Sequence, residues 1–265
     1  MTGIDVDGAL ALLRDGEISV EGRLVDASNA TLFCDIALDG SQARCVYKPV
    51  AGERPLWDFP DGTLAAREVA AYAVSEATGW GIVPPTVMRE GPFGPGMCQL
   101  WIDTDPTVEL VDVVPPEDLP TGWRGVLEAL GSLGQPVVLG HADDPRLRRM
   151  AVLDAVINNA DRKGGHVLPM TSGQVLGVDH GVCFHVESKL RTVLWGWAGE
   201  ALSAEETEVL RRLDTQLDGD LGERLGTLLT RAEVRATRRR VTGLLAGGCF
   251  TLPAEGWPSI PWPPF

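Results

Sequence analysis

A chain of 265 residues with 44% hydrophobic side chains buries a sizeable core and reads as one large domain or two coupled lobes, not as a disordered tail. Its 23 Lys and Arg stand against 37 Asp and Glu, and the formal charge of -14 repels phosphate backbones and anionic lipid heads, so nucleic acid is excluded as a general partner. The five cysteines, Cys34, Cys45, Cys98, Cys183 and Cys249, are odd in number and never spaced C-x-x-C, which argues against a disulfide framework or a zinc ribbon and for reduced thiols in a cytoplasm. Residues 1–11 are interrupted by Asp5 and Asp7 and lack the basic and apolar regions of a signal peptide. No apolar run approaches the ~20 residues of a membrane helix. The expectation is a soluble, cytoplasmic protein without stable membrane association.

From Glu17 to Val50 short alternating runs, ISVEGRLVD, ATLFCDIALDG and QARCVYKPV, predict three strands, with Asp39-Gly40 as a hairpin signal. The alanine-rich stretch from Thr63 to Ala77 predicts a helix closed by Gly79. Two further strands are expected around Thr86 to Arg89 and Met97 to Ile102, on either side of GPFGPG. After Asp103, the Asp105-Pro106 and Val114-Pro115-Pro116 stretches predict a loose connection, and helical patterning is expected to take over. PRLRRMAVLDAVIN, from Pro145 to Asn158, has one apolar face and delivers Asn159-Ala160-Asp161 into a loop. Ser203 with Glu206, and Thr230 with Glu233, are capping-box signatures that open later helices. The chain divides into a sheet-rich 1–103 with one helix and a mainly helical 104–265 that ends in a Pro- and Trp-rich tail.

NNADRKGGHVL, starting at Asn158, and VLGVDHGVCF, starting at Val175, are the most informative stretches. A carboxylate after a helix, a hairpin, and a second carboxylate beside a glycine bring Asp161 and Asp179 to one end of a sheet. That pairing suits one acid-base and one metal-binding carboxylate, although both aspartates could equally make ordinary turns. Lys48 in CVYKPV is flanked by apolar Val46 and Val50, and an ammonium pointing into a lobe needs an anionic partner. Glu68 on the following helix can supply one. The ordinary alternatives are a snorkelling edge lysine and a solvated helix face.

This order of residues resembles the phosphatidylinositol 3-/4-kinase-like superfamily, and within it an uncharacterised actinobacterial family, from about Glu17 to Leu245. The resemblance implies an α+β, two-lobed protein-kinase-like fold that binds ATP with Mg2+ or Mn2+ between the lobes. It implies that Lys48 contacts the nucleotide phosphates, that Glu68 is its helix partner, and that Asp161 is the catalytic aspartate handling the proton of an acceptor hydroxyl. Asp179 of Asp179-His180-Gly181 matches the metal-binding aspartate, with Val178 under the adenine. Gln99, Trp101 and Ile102, around Leu100, stand at the hinge whose backbone bonds the base, and 182–196 correspond to the activation segment. Lys163 is near enough to Asp161 to reach a transferring phosphate.

Two departures from that pattern stand out. Five residues after Asp161, where a second metal ligand is usually asparagine, stands His166, and imidazole favours manganese or zinc over magnesium. The phosphate loop from Asp26 to Thr31 has no glycine, so backbone amides and the Ser28 hydroxyl are expected to hold phosphate. His180 and His185, with His166 and Asp179, raise a rival metal-dependent hydrolase, but no known metalloprotease spacing is present. Lys189 and Arg191, ahead of Trp195-Gly196-Trp197, offer a basic and aromatic surface to an anionic acceptor. The tail GWPSIPWPPF is expected to wrap onto its own chain, with a protein partner as the alternative. The leading expectation is phosphoryl transfer to a hydroxyl of a soluble small molecule or protein. A nucleotide-binding pseudokinase and a nucleotidyl transferase are the alternatives.

Overall fold

The structure, a computed structural model, describes residues 5–24, 29–59, 62–254, 256 and 258–265. Strands β1 (Glu17–Arg23), β2 (Leu32–Leu38) and β3 (Ser41–Pro49) form an antiparallel meander. Asp39 and Gly40 close its second hairpin with φ of 49° and 82°, the left-handed pair that a two-residue turn between twisted strands requires. Helix α1 (Val6–Asp15), which the sequence reading did not resolve, buries Leu12 and Leu13 against Cys34, Cys45, Tyr47 and Cys98 on one face of the sheet. Side chains along a strand alternate faces, so Val46 and Lys48 of β3 point to the opposite face. That alternation aims the lysine at the cleft.

Helix α2 (Leu64–Thr78) starts at Thr63, whose hydroxyl accepts from the Ala66 amide, and ends at Gly79 in the left-handed conformation. The Glu53 carboxylate also accepts from the free amides of Leu64 and Ala65, at 2.9 and 2.8 Å, where the positive end of the helix favours an anion. Nearly every residue of α2 is buried. Its Ala65 and Val69 pack under Met97, and its Ala70, Ala71 and Val74 join the main core. β4 (Thr86–Gly91) and β5 (Gly94–Leu100) complete a five-stranded sheet in the order β1-β2-β3-β5-β4. The hairpin between them is tighter than GPFGPG suggests, because Gly91 and Gly94 already pair.

The stretch after Asp103 departs from the expectation of a loose link followed by helix. β6 (Val111–Val114), β7 (Trp123–Leu130) and β8 (Pro136–Ala142) form a three-stranded antiparallel sheet ordered β6-β8-β7. β7 is mostly exposed and β8 is buried at four successive residues, so the alternation that marks a strand is weak here, and the Gly131–Gln135 turn links the two. Helices then dominate: α3 (Pro145–Ile157), α4 (Ala204–Leu217), α5 (Asp220–Gly226) and α6 (Arg231–Gly247). Both capping boxes form, Ser203 with Glu206 and Thr230 with Glu233. Leu147, Met150, Leu153, Phe184, Trp197, Leu210 and Val241 are central to the core that these helices share. Between α3 and α4 lies a short hairpin of β9 (Val167–Pro169) and β10 (Val175–Gly177). Among the described residues no helix is long and apolar enough to cross a membrane.

Candidate active site

Three charges from three elements meet where the sheet faces the helices. Lys48 Nζ lies 2.6 Å from Glu68 Oε1 and 2.7 Å from Asp179 Oδ1. β3 supplies the lysine, α2 the glutamate, and the turn after β10 the aspartate. Glu68 is sealed, with its other oxygen accepting from the His180 amide at 2.8 Å. Asp179 keeps half its side chain open. Burial pulls the Lys48 ammonium down, but Asp179 and Glu68 outweigh it and leave the ammonium above its ordinary value. Lys48 in turn holds the Asp179 carboxyl well below the usual carboxylate range, against the effect of burial. Burial pushes Glu68 up, with Lys48 opposing. Asp179 has φ of 61°, a left-handed conformation that costs an ordinary residue of order 1–3 kcal/mol and aims its carboxylate into the cleft. Gly181 follows closely because a Cβ there would come within 3.3 Å of Leu64 Cβ.

The loop carrying Asp161 is built on a sealed ion pair. Asp154 of α3 binds Arg162 Nε at 2.9 Å, and both side chains are fully buried. The same guanidinium donates to the Val178 carbonyl at 3.0 Å and lies 2.6 Å from His180 Nε2. One arginine therefore joins the Asp161 loop to the Asp179 turn. Asn159 bridges from Asp154 to the Asp161 amide. Asp161 itself is partly exposed, with Lys163 Nζ 3.5 Å away. Burial raises its carboxyl above the ordinary value, with Lys163 opposing.

His166 stands at the head of the β9–β10 hairpin, its Nε2 3.5 Å from Asp179 Oδ2. Burial lowers the imidazole to about 4, so it is neutral and able to donate a lone pair near pH 7. One imidazole and one carboxylate fit a divalent cation that draws its other ligands from water and phosphate oxygens. No cluster of three or more His, Cys, Asp or Glu able to hold an ion occurs among the described residues. His180 is fully buried against Arg162 and Glu68, and His185 packs its ring edge-on to Phe59, so neither joins His166.

Above this floor opens a cleft of about 500 Å³ that contains Lys48, Gln99, Trp101, Ile102, Asp161, Lys163, His166, Val178 and Asp179. Every described candidate residue except Glu68 lines it. Glu68 sits behind Lys48, and Ser28 lies outside the described residues. Leu24 and Val46 above, with Leu168 and Val178 below, give the far end two apolar faces. At the hinge position two residues already have partners. The Gln99 side chain turns into the sheet and donates to Thr86 Oγ1 at 2.8 Å. The Trp101 amide is committed to the Arg44 carbonyl, and its indole binds Asp103 and meets the Phe33 ring edge-on. Ladder pairing continues through both residues because the sheet holds its register to that point. The Ile102 amide has no backbone acceptor among the described residues.

Sequence reasoning put Asn29 and Thr31 in the phosphate loop without singling out their side chains, which line the cleft beside Lys48, and it missed the Asp154–Arg162 pair. A hydroxyl and an amide in a loop without glycine give no pattern, but an Asp on a helix one loop before an Arg was a signal. Lys189 and Arg191 are not presented to an acceptor. Lys189 is buried, 3.2 Å from Asp58 and beneath the Trp57 ring, and Arg191 donates to the Ala160 carbonyl. The tail folds back: the Ser259 carbonyl accepts from the Thr192 amide and the Trp195 indole, and Pro264 accepts from Gly164.

No family model matches the chain. It is 52% identical over 268 residues to protein Rv2133c of Mycobacterium tuberculosis, across 98% of this chain and 96% of that protein. The chain belongs to the Rv2133c family. It is also 30% identical over 217 residues, 71% of its length, to phosphatidylinositol 4-kinase gamma 4 of Arabidopsis thaliana, of which the match covers 33%. Among solved structures it is similar to the Golgi casein kinase with Mn/ADP bound, with a TM-score of 0.57 and 14% identity over 98% of this chain and 80% of that one. It is similar as well to hydra Fam20 with sugar, with a TM-score of 0.55 and 14% identity over 91% and 87% of the two chains. These likenesses show a kinase-like fold for this chain, and its sheet-rich first part and helix-rich second part are consistent with two lobes.

Proposed function

We propose that this protein is an ATP- and divalent-metal-dependent kinase that transfers a phosphoryl group to a hydroxyl. The observation that carries the reading is Lys48, held at 2.6 and 2.7 Å between Glu68 and Asp179 on the floor of a cleft that also contains Asp161. Phosphoryl transfer asks a protein mainly for positioning and charge neutralisation, and those four side chains supply both. In this reading residues 1–103 cover the nucleotide and 104–265 hold the catalytic groups. The adenine lies between Val46 and Val178 with its edge on the Ile102 amide. Lys48 steadies the phosphates, joined by Asn29 and Thr31 and by the Ser28 loop.

His166 and Asp179 would hold Mg2+ or Mn2+, which neutralises phosphate charge when bound. The imidazole favours Mn2+, and the Mn/ADP-bound relative of the same fold is in keeping with that. Asp161, less acidic than usual because of burial, orients the acceptor hydroxyl and takes its proton. Lys163, 3.5 Å from it, balances charge on the oxygens in transfer. The acceptor is a soluble metabolite or a protein hydroxyl, since a chain of net charge -14 is poorly matched to an inositol lipid in an anionic bilayer. The free cysteines support a cytoplasmic setting.

Calorimetric titration with ATP and Mn2+, then ATP and Mg2+, tests this on the wild type and on Asp179→Ala. Metal-dependent binding lost in the variant, together with release of ADP, is the expected result. Release of pyrophosphate would assign nucleotidyl transfer instead. Binding without any product would assign a nucleotide sensor, and no binding with either metal would sink all three readings.

A further inference from the structure

On the helical lobe, away from the cleft, a groove of about 510 Å³ runs between α6, the end of α3, the segment 186–190 and residues 249–252. Arg239 and Arg240 wall it. The Arg239 side chain is exposed and has no hydrogen-bond or ion-pair partner among the described residues. The Arg240 guanidinium bonds only uncharged oxygens, those of Val156 and Thr237 at 3.4 Å and the His185 carbonyl. On the same helix Arg238 is paired with Asp214 and Asp218, and Glu233 is taken by Arg67 at 2.5 Å. Burial and the adjacent Arg239 lower Arg240 to about 10, still charged at neutral pH. Two adjacent cations without a described carboxylate partner are unusual in a chain of charge -14.

The rest of the groove is apolar. Leu190, Leu244 and Phe250 form its floor, and Val186 and Leu252 stand exposed at its rim. Gly243 faces the opening, and a Cβ there would meet nothing within 4 Å. A glycine inside a helix costs about 1 kcal/mol against alanine, and nothing described in the fold uses the space it leaves. The α6 residues that line the groove run from Ala236 to Gly247. At 1.5 Å per residue they span about 16 Å, the length of about five extended residues.

We propose that this groove docks an extended acidic segment of a partner protein, its carboxylates on Arg239 and Arg240 and its alternate apolar side chains on Leu244 and Phe250. A small anion would use only the arginine end and leave the apolar floor unfilled. The inference is independent of the chemistry assigned to the cleft. Asn158, three residues before Asp161 in the chain, holds the groove wall through the His185 and Glu187 carbonyls at 2.9 and 2.6 Å and the Lys189 amide at 2.9 Å.

Fluorescence anisotropy on the full chain tests the proposal with a short labelled peptide that alternates glutamate and leucine. Matched glutamine-leucine and lysine-leucine peptides serve as controls, and inorganic phosphate as competitor. The glutamate peptide is expected to bind in a salt-sensitive manner. Arg239→Glu and, separately, Gly243→Glu should weaken it at least about tenfold without lowering the melting temperature. Equal binding of the glutamine peptide, or unchanged affinity in both variants, would overturn the proposal. Displacement by phosphate at comparable concentration would reassign the groove to a small anion. Glu255 is the acidic residue nearest in sequence to Leu252 and lies outside the described residues. Binding seen only in Glu255→Gln would assign the groove to this chain's own tail and equally overturn the proposal.

Discussion

Two sets of buried charge sit within one loop of each other and behave differently. Asp154 and Arg162 are wholly sealed, and every partner of that guanidinium is internal: a carboxylate, two backbone carbonyls and a neutral histidine ring. Lys48, Glu68 and Asp179 are graded instead. The glutamate is 1% exposed, the lysine 21% and the aspartate 50%. A sealed pair can only hold backbone in place, whereas a graded set can present its open end to a ligand while the closed end anchors it. The contrast separates the groups that support the floor of the cleft from those that act on it.

The sharpest way to break this contrast is to remove half of the sealed pair. Asp154→Ala leaves the Arg162 cation buried and unpaired, and a loss of about 3–5 kcal/mol is expected, read by urea unfolding. Retention of wild-type stability would show that the pair does not carry the loop. Asp179→Ala should do the reverse. Its carboxylate is half-exposed, so the melting temperature should hold nearly constant while turnover falls by roughly 10²–10³, checked by ADP release. A large stability loss there would erase the distinction.

His166→Asn sharpens the comparison at the open end. Replacing imidazole by an oxygen ligand should shift the metal preference from Mn2+ toward Mg2+ by about tenfold in activation, measured as the ratio of the two titrations. A ratio equal to wild type would remove His166 from the metal site.

A buried charge-free site, His141, adds to a pH dependence that the buried His166 and His180 share. His141 is fully buried, with Nδ1 on the Ala142 carbonyl and Nε2 accepting from the Gly196 amide, which requires a neutral ring. Burial lowers it, and nearby Arg124 adds to the effect. Below about 6.5 the unfolded histidine takes up a proton that the folded one refuses, so the unfolded state binds more protons and stability falls as pH drops through that window. His141→Gln should flatten the fall, seen in melting temperatures between about pH 7 and 5. A slope identical to wild type would place the proton uptake elsewhere. The smallest expected effect is Ser203→Ala, which removes one hydroxyl of a capping box and should cost about 1 kcal/mol without touching activity.

Local rules carried much of this molecule. Thr63 and Gly79 bound α2, Ser203 and Thr230 open their helices, and the Asp39-Gly40 hairpin closes as its left-handed preference demands, because each depends on neighbours within a few residues. The period of two along β3 likewise put Lys48 opposite Cys45 and Tyr47. The sheet from Val111 to Ala142 was not legible. β8 is buried at four successive residues while β7 buries none, a contrast set by β8 lying between β6 and β7, an order that no single strand encodes.

The site divides in the same way. Lys48, Glu68, Asp161 and Asp179 stood out as residue types at suggestive positions, and the kinase resemblance gave them roles and added His166. That Gln99 turns to Thr86, that Trp101 spends its amide on Arg44, and that Lys189 pairs with Asp58 were decided by partners 13 to 131 residues away in sequence. The sequence by itself determined which groups were available for chemistry and which segments would coil or extend, since these follow from side-chain type and local spacing. The tertiary structure decided which charges meet, which are sealed and which stay open to a ligand, because burial and pairing are properties of surfaces brought together only when the chain folds.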